Sequence, residues 1–356
     1  MSTSLLVEIA QFAGVLAALI VVHELGHFLA ARALKVEVEE FGLGFPPRIA
    51  TLFYAGKTRF SLNLIPFGGF VKPKGENDPS ILGGLAAASP WVRLGVLSAG
   101  PLANLLVGVL LYAVIFSKIG VPIRDQVQIL EVTPGSPAEN AGLLPGDLIL
   151  AVNDTTVEST DALHAEVYAN LDQQIQITAL RDGQRLTFNL VPRSNPPEGE
   201  GAIGIVMTNP TRPVSVIAAL PTGVSAVYQH SLALLSLPFQ MIQGQIDPEE
   251  GRLVGFKGMF DIYQAVRETE SEPEVPAGIN TFGFFATITI SLGLLNLLPI
   301  PALDGGRILF LLPEILFRRR IPTRYENVIN LVSFALLIML MLFINLQDFV
   351  NPITLP

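Results

Sequence analysis

Residues 19–34 read LIVVHELGHFLAARAL, which sets His23, Glu24 and His27 inside a run that is otherwise apolar. The run extends from about 5 to 31, longer than the roughly 20 residues that a helix needs to cross a bilayer ~30 Å thick. Ionisable groups at such depth are costly, so they mark function by default. His-Glu-x-x-His on a helix places two imidazoles one turn apart on one face, the spacing that holds Zn²⁺, with a carboxylate close enough to act on a water. The competing reading is a pair of buried, hydrogen-bonded histidines. With four histidines in 356 residues, chance gives little support to it.

Composition agrees with a membrane setting. Half of the chain is hydrophobic and 15% is charged, and the mean hydropathy is +0.51. A net charge of −9 without a long basic run argues against nucleic acid as a partner. The absence of cysteine removes disulfides and thiolates, so a metal site here must draw on His, Asp or Glu. The first 19 residues lack the basic start of a signal peptide and continue into the histidine run, so they are expected to be kept.

Three runs are long enough to span, about 5–31, 94–116 and 327–346; a fourth, 281–303, is broken near its end by Pro299 and Pro301. These four predict a polytopic α-helical membrane protein. A polar region at 120–212 reads as a domain inserted between the second and third. Arg and Lys crowd 32–74 and 318–324, with none before Arg32 or after Arg324. The positive-inside rule places both basic loops in the cytoplasm and both termini outside, with the 120–212 domain. An added crossing at 214–246 would put Arg318–Arg320 on the wrong side, so that segment is expected to lie at the outer interface or against the bundle, within an interfacial region 213–280. The loop 35–75 alternates like strands around Gly68 and Gly69 and is expected to form a small hairpin that dips into the membrane, tolerable only against protein or a wet cavity.

A catalytic zinc takes three protein ligands and leaves a position open for water. Nothing after His27 supplies a third histidine, and Glu37, Glu39 and Glu40 lie on a charged stretch that reads as solvated. Asp304 is the better candidate, being the only acid between Glu274 and Glu314, directly after NLLPIPAL, where two prolines break the helix. The competing reading of LDGG is a plain turn at a helix end. Topology brings HExxH and Asp304 to the same cytoplasmic depth.

HELGH in the first span and NLLPIPALDGG in a later one resemble the site-2 protease family of intramembrane zinc metalloproteases (peptidase family M50), of the bacterial regulator-of-sigma-E type. EEFGLGFPPRI and IPFGGFVKPKGE resemble that family's re-entrant β-loop, SAGPLANLL its second helix, and residues 132–157, VTPGSPAENAGLLPGDLILAVNDTTV, a PDZ domain, an α/β sandwich. The resemblance implies one Zn²⁺ held by His23, His27 and Asp304, with Glu24 as general base. It implies substrate contacts at Gly68 and Gly69 and at Asn296, for which helix packing is an equal alternative; for Asn104 packing is favoured over a substrate role. It further implies residence in the bacterial cytoplasmic membrane and regulated cleavage of single-span proteins, such as anti-sigma factors or signal-peptide remnants, after trimming. The PDZ-like domain would bind a peptide or substrate tail, and the 41–72 loop would take up the unwound substrate by β-addition, probed by proline at 62 or 64. GLGF at 42–45 belongs to the membrane loop rather than to that domain. His164 and His230 are read as ordinary surface and interfacial residues. The alternatives are a catalytically silent adaptor that binds membrane segments and a zinc transporter, which would need repeat-related broken helices.

Overall fold

The computed structural model describes residues 3–246, 251–270 and 276–352, so 247–250 and 271–275 of the expected interfacial region lie outside the described residues. The chain divides into two compact units, 1–115 with 216–356, and 116–215.

In the first unit, helix α1 (Thr3–Ala33) leads to strands β1 (Val38–Ala55) and β2 (Thr58–Pro73), then to α2 (Pro90–Ile119). Their turn is two residues long, with Gly56 at φ +65°, as a tight hairpin requires. The hairpin folds back on itself. Residues 38–43 pair with 69–73 on one side, and from Glu40–Arg59 to Leu43–Leu62 on the other. Residues 48–55 pair with 58–63. The spatial order is therefore 48–55, 58–65, 38–45, 69–73. Phe28 of α1 meets Phe41 and Phe60 edge-on, each with centroids 5.6 Å away, which fixes the sheet to the helix.

The second unit carries β3 (Val121–Pro122), β4 (Val127–Val132), α3 (Pro137–Ala141), β5 (Leu148–Val152), β6 (Thr155–Thr156), α4 (Thr160–Ala169), β7 (Ile175–Arg181), β8 (Gln184–Leu190), β9 (Ile205–Thr208) and β10 (Thr211–Arg212). Its main sheet runs β8-β7-β5-β4-β9, antiparallel, with β6 on β5. Alternate residues Ile175, Ile177 and Ala179 face inward onto Leu163 and Val167 of α4, a self-contained core. Ser136 and Ser159 cap the two helices by accepting from Glu139 N–H and Ala162 N–H. His164 stacks on Tyr168 at 4.1 Å on this unit's surface.

The chain returns to the first unit as α5 (Val216–Ile242), α6 (Phe256–Thr269), α7 (Ile279–Leu297), α8 (Asp304–Phe317) and α9 (Thr323–Val350). Among the described residues, four helices are long and apolar enough to cross a membrane: Leu5–Ala33, Pro90–Ile119, Ile279–Leu297 and Thr323–Val350. The protein is an integral membrane protein. The third span stops at Leu297, short of the expected 303, because Pro299 and Pro301 cannot donate to a helix ladder. Helix α5 is not among the four. It packs on the bundle, where Gly223 faces the Val109 carbonyl so closely that a Cβ would come within 2.7 Å, and Val227 lies at Gly108. His230 sits on this helix and shares a 2.7 Å hydrogen bond with Tyr112. Helix α6 is amphipathic and sets Tyr263 against Phe12 and Phe285.

Candidate metal centre

His23 and His27 are one turn apart on α1, and both are nearly buried, at 7% and 9% exposure. Helix α2 opposes them with the same spacing. Gly100 faces His27, where a Cβ would come within 2.2 Å of Nε2, and Asn104, four residues on, meets His23. Close approach of the two helices also needs Gly26, since a Cβ there would meet the Ala99 carbonyl at 2.4 Å. The motif SAGPLAN thus complements HELGH at three points, Ala99 at Gly26, Gly100 at His27 and Asn104 at His23.

Asp304 arrives from the other side, at the first position of α8. Gly305 and Gly306 let the turn close, because a Cβ at either would fall within 2.3 Å of the Leu298 or Ile300 carbonyl. The result is a triangle of three atoms. His23 Nε2 and His27 Nε2 lie 3.1 and 3.2 Å from Asp304 Oδ2 and 3.2 Å from each other. Ligand bonds of ~2.0–2.1 Å in a tetrahedron put donor atoms roughly 3.3 Å apart, so these edges match one zinc ion with a fourth position free.

The outer contacts fit as well. His27 Nδ1 lies 2.8 Å from the Val96 carbonyl, which accepts its proton and leaves a lone pair on Nε2. Asn104 lies 3.2 Å from His23 Nδ1 and is fully buried. The two ends of an amide share one shape, and with its oxygen toward the ring Asn104 takes the Nδ1 proton in the same way. Three lone-pair donors this close repel one another unless a cation lies among them. No other group of three or more metal-ligating side chains occurs among the described residues.

A cavity of about 330 Å³ opens onto this triangle. Glu24 lines it, and its Oε2 accepts the Val71 N–H at 3.0 Å. Gly69 lines it too, with Gly68 beside it at φ +108°, packed against the Phe45 ring. Asn296 reaches the cavity while donating to the Leu292 carbonyl at 2.8 Å. Asn104 is not among the lining residues; it lies behind His23. Sequence reading missed Val96, Val71 and a paired Arg307–Glu76 at the cavity wall. The i, i+4 match between Gly100–Asn104 and His23–His27 was the signal that could have found the second helix's part.

A family model described as Peptidase family M50 matches residues 11–340. A Campylobacter jejuni protein named as a candidate zinc metalloprotease is 34% identical, over 94% of this chain and 91% of its own length. Proteins with the same description from Nostoc sp. and Clostridium perfringens are 32% and 30% identical, each over 94% of this chain and 93% and 96% of their own.

Proposed function

This chain belongs to peptidase family M50, a zinc metalloendopeptidase built into a membrane, and from that premise we propose that it cuts single-span membrane proteins within the bilayer. The observation that carries the reading is the triangle of His23, His27 and Asp304 with Glu24 beside it in one cavity. His23, His27 and Asp304 would hold the zinc ion. Bound there, zinc supplies Lewis acidity toward a water and the scissile carbonyl. Glu24 takes the proton of the attacking water on its carboxylate and passes it to the departing amide nitrogen. Val96 and Asn104 hold the two imidazoles by their outer nitrogens, so that both Nε2 lone pairs face inward.

A helical substrate hides its carbonyls in i→i−4 bonds, so it must unwind before attack. The strand edge at 69–73 is suited to receive it. Val71 turns its N–H away from β1 toward Glu24, and by strand alternation Gly69 presents its N–H and carbonyl on the same side. A substrate strand added there runs past Glu24, with Asn296 able to bond its backbone. The exposed Ile49, Leu52 and Phe53 of the same sheet support its dipping into lipid.

Substrates of this kind include anti-sigma factors and signal-peptide remnants, trimmed beforehand. The basic loops 32–74 and 318–324 favour an active site near the cytoplasmic face of the bacterial inner membrane, with both termini and the 116–215 unit outside. We read that unit as a PDZ-like module that meets the substrate's extracytoplasmic tail. Removing 125–195 should speed cleavage of an untrimmed substrate relative to a shortened one; equal rates for both before and after the deletion would remove the filter role.

The deciding experiment is cleavage of a single-span substrate by purified protein. Glu24→Gln should bind zinc as the wild type does and lose about 10²–10⁴-fold in turnover. Full turnover by that variant would overturn the assignment.

A further inference from the structure

We propose that Asn330, on the last helix and outside the cavity, is the positioning residue that delivers Asp304 to the two histidines. The inference rests on Asp304 being a ligand. Between α7 and α8 the chain reverses within 298–303, where Pro299 and Pro301 have no N–H to give. Two backbone bonds brace the turn, Ile300 N–H to Leu298 O at 2.7 Å and Leu303 N–H to Ile300 O at 3.1 Å. Ala302 adopts φ +75°, a left-handed conformation in which its Cβ crowds the carbonyl. Such a residue persists only where its surroundings over-determine it.

The bond that holds it comes from another helix. The Ala302 N–H donates to Asn330 Oδ1 at 3.1 Å, across 28 residues. Ala302 is two residues before Asp304, and Gly305 and Gly306 are packed without space against the same turn. A shift at Ala302 therefore moves Asp304 with nothing to absorb it. The setting makes Asn330 conspicuous, because its neighbours Ile329, Leu331 and Val332 are exposed apolar residues of a membrane span. A polar amide there is costly unless it answers a backbone group that lipid cannot satisfy.

The same helix contains its own control. Near its other end, Asn345 Oδ1 accepts the Phe256 N–H at 3.0 Å, the same residue type making the same kind of bond, but to α6 rather than to the Asp304 turn. If α9 mattered only as a packed rod, both asparagines would matter alike.

The test is zinc affinity of the full chain in detergent or nanodiscs, by competition with a chromophoric chelator. Asn330→Leu should weaken zinc about 10–100-fold, the usual scale for residues that orient metal ligands. Asn330→Asp, which keeps an acceptor oxygen in place, should recover affinity to within about threefold of wild type, and Asn345→Leu should leave it unchanged. Wild-type affinity in Asn330→Leu would overturn the inference. So would an equal loss in Asn345→Leu, or failure of Asn330→Asp to recover. If Asn330→Leu does not assemble, Asn330→Ser, too short to reach Ala302, carries the same comparison. Asp304→Ala separates the premise: wild-type zinc affinity in that variant would sink the ligand assignment itself.

Discussion

The site is decided by how small a side chain is at one position and how polar at the next. Gly100 leaves room for His27 and nothing else, so Gly100→Ala should drive the imidazole off its place and lower zinc occupancy at least about tenfold, measured by metal analysis after gel filtration. Asn104→Leu keeps the branched shape, though not the smaller volume, and removes the contact at His23 Nδ1. Its expected outcome is a zinc affinity reduced about 10–100-fold in a protein that still elutes as wild type. His23, His27 and Asp304 were legible as candidate ligands because their chemistry is costly in an apolar run. Asn104 was not legible as a partner of His23, since an asparagine in a membrane helix has several ordinary explanations.

Among the elements, the β1–β2 sheet is where sequence reasoning was least able to see. Alternation announced strands, but not that 58–65 would be enclosed between 48–55 and 38–45. Leu62 pairs with both Leu43 and Ala50, so proline at 62 breaks two ladders and is no clean probe of substrate addition. Val71 separates the sheet from the site, because its N–H leaves the ladder for Glu24, so proline there tests that contact with Glu24 rather than the ladder. Val71→Pro should leave the sheet intact by hydrogen exchange and lower turnover, whereas Leu62→Pro should expose the sheet. Charge also ties this element together. Glu37 accepts from Lys57 at the hairpin tip at 2.6 Å and from Lys74 beyond β2 at 2.9 Å. These two lysines, Lys57 foremost, hold the Glu37 carboxyl down from 4.5 to about 2. A depressed carboxylate stabilises the fold above its unfolded pKa, and that contribution fades as pH falls from 4.5 toward 2. Amide protection in the hairpin, taken relative to the intrinsic exchange rate at each pH, should therefore fall between pH 5 and about pH 3 by more in the wild type than in Glu37→Gln.

At the scale of the whole molecule, the two units have separate cores. Val127, Ile129, Ile149 and Ile177 belong to a cluster drawn wholly from the 116–215 unit. Excised, that unit should unfold in one cooperative thermal transition, and chelators should not move its Tm, because His23, His27 and Asp304, the proposed zinc ligands, all lie in the other unit. Two superimposed transitions, or a chelator effect, would contradict this.

The sequence by itself determined the membrane class, the four spans, a separate unit between the second and third, and His23, His27 and Asp304 as the candidates for a metal group. Each of these is a local statement: a run of apolar residues, a break in composition, or an ionisable group where burial is expensive. Only the tertiary structure decided which surfaces meet. Gly100 against His27, Val96 and Asn104 behind the imidazoles, Val71 on Glu24 and Asn330 on the Ala302 turn join residues between 28 and 81 positions apart. Such pairings follow from helix rotation, helix spacing and strand order, which a single chain's local pattern does not encode. The chemistry is written along the chain, and its alignment to a few tenths of an ångström comes from the packing.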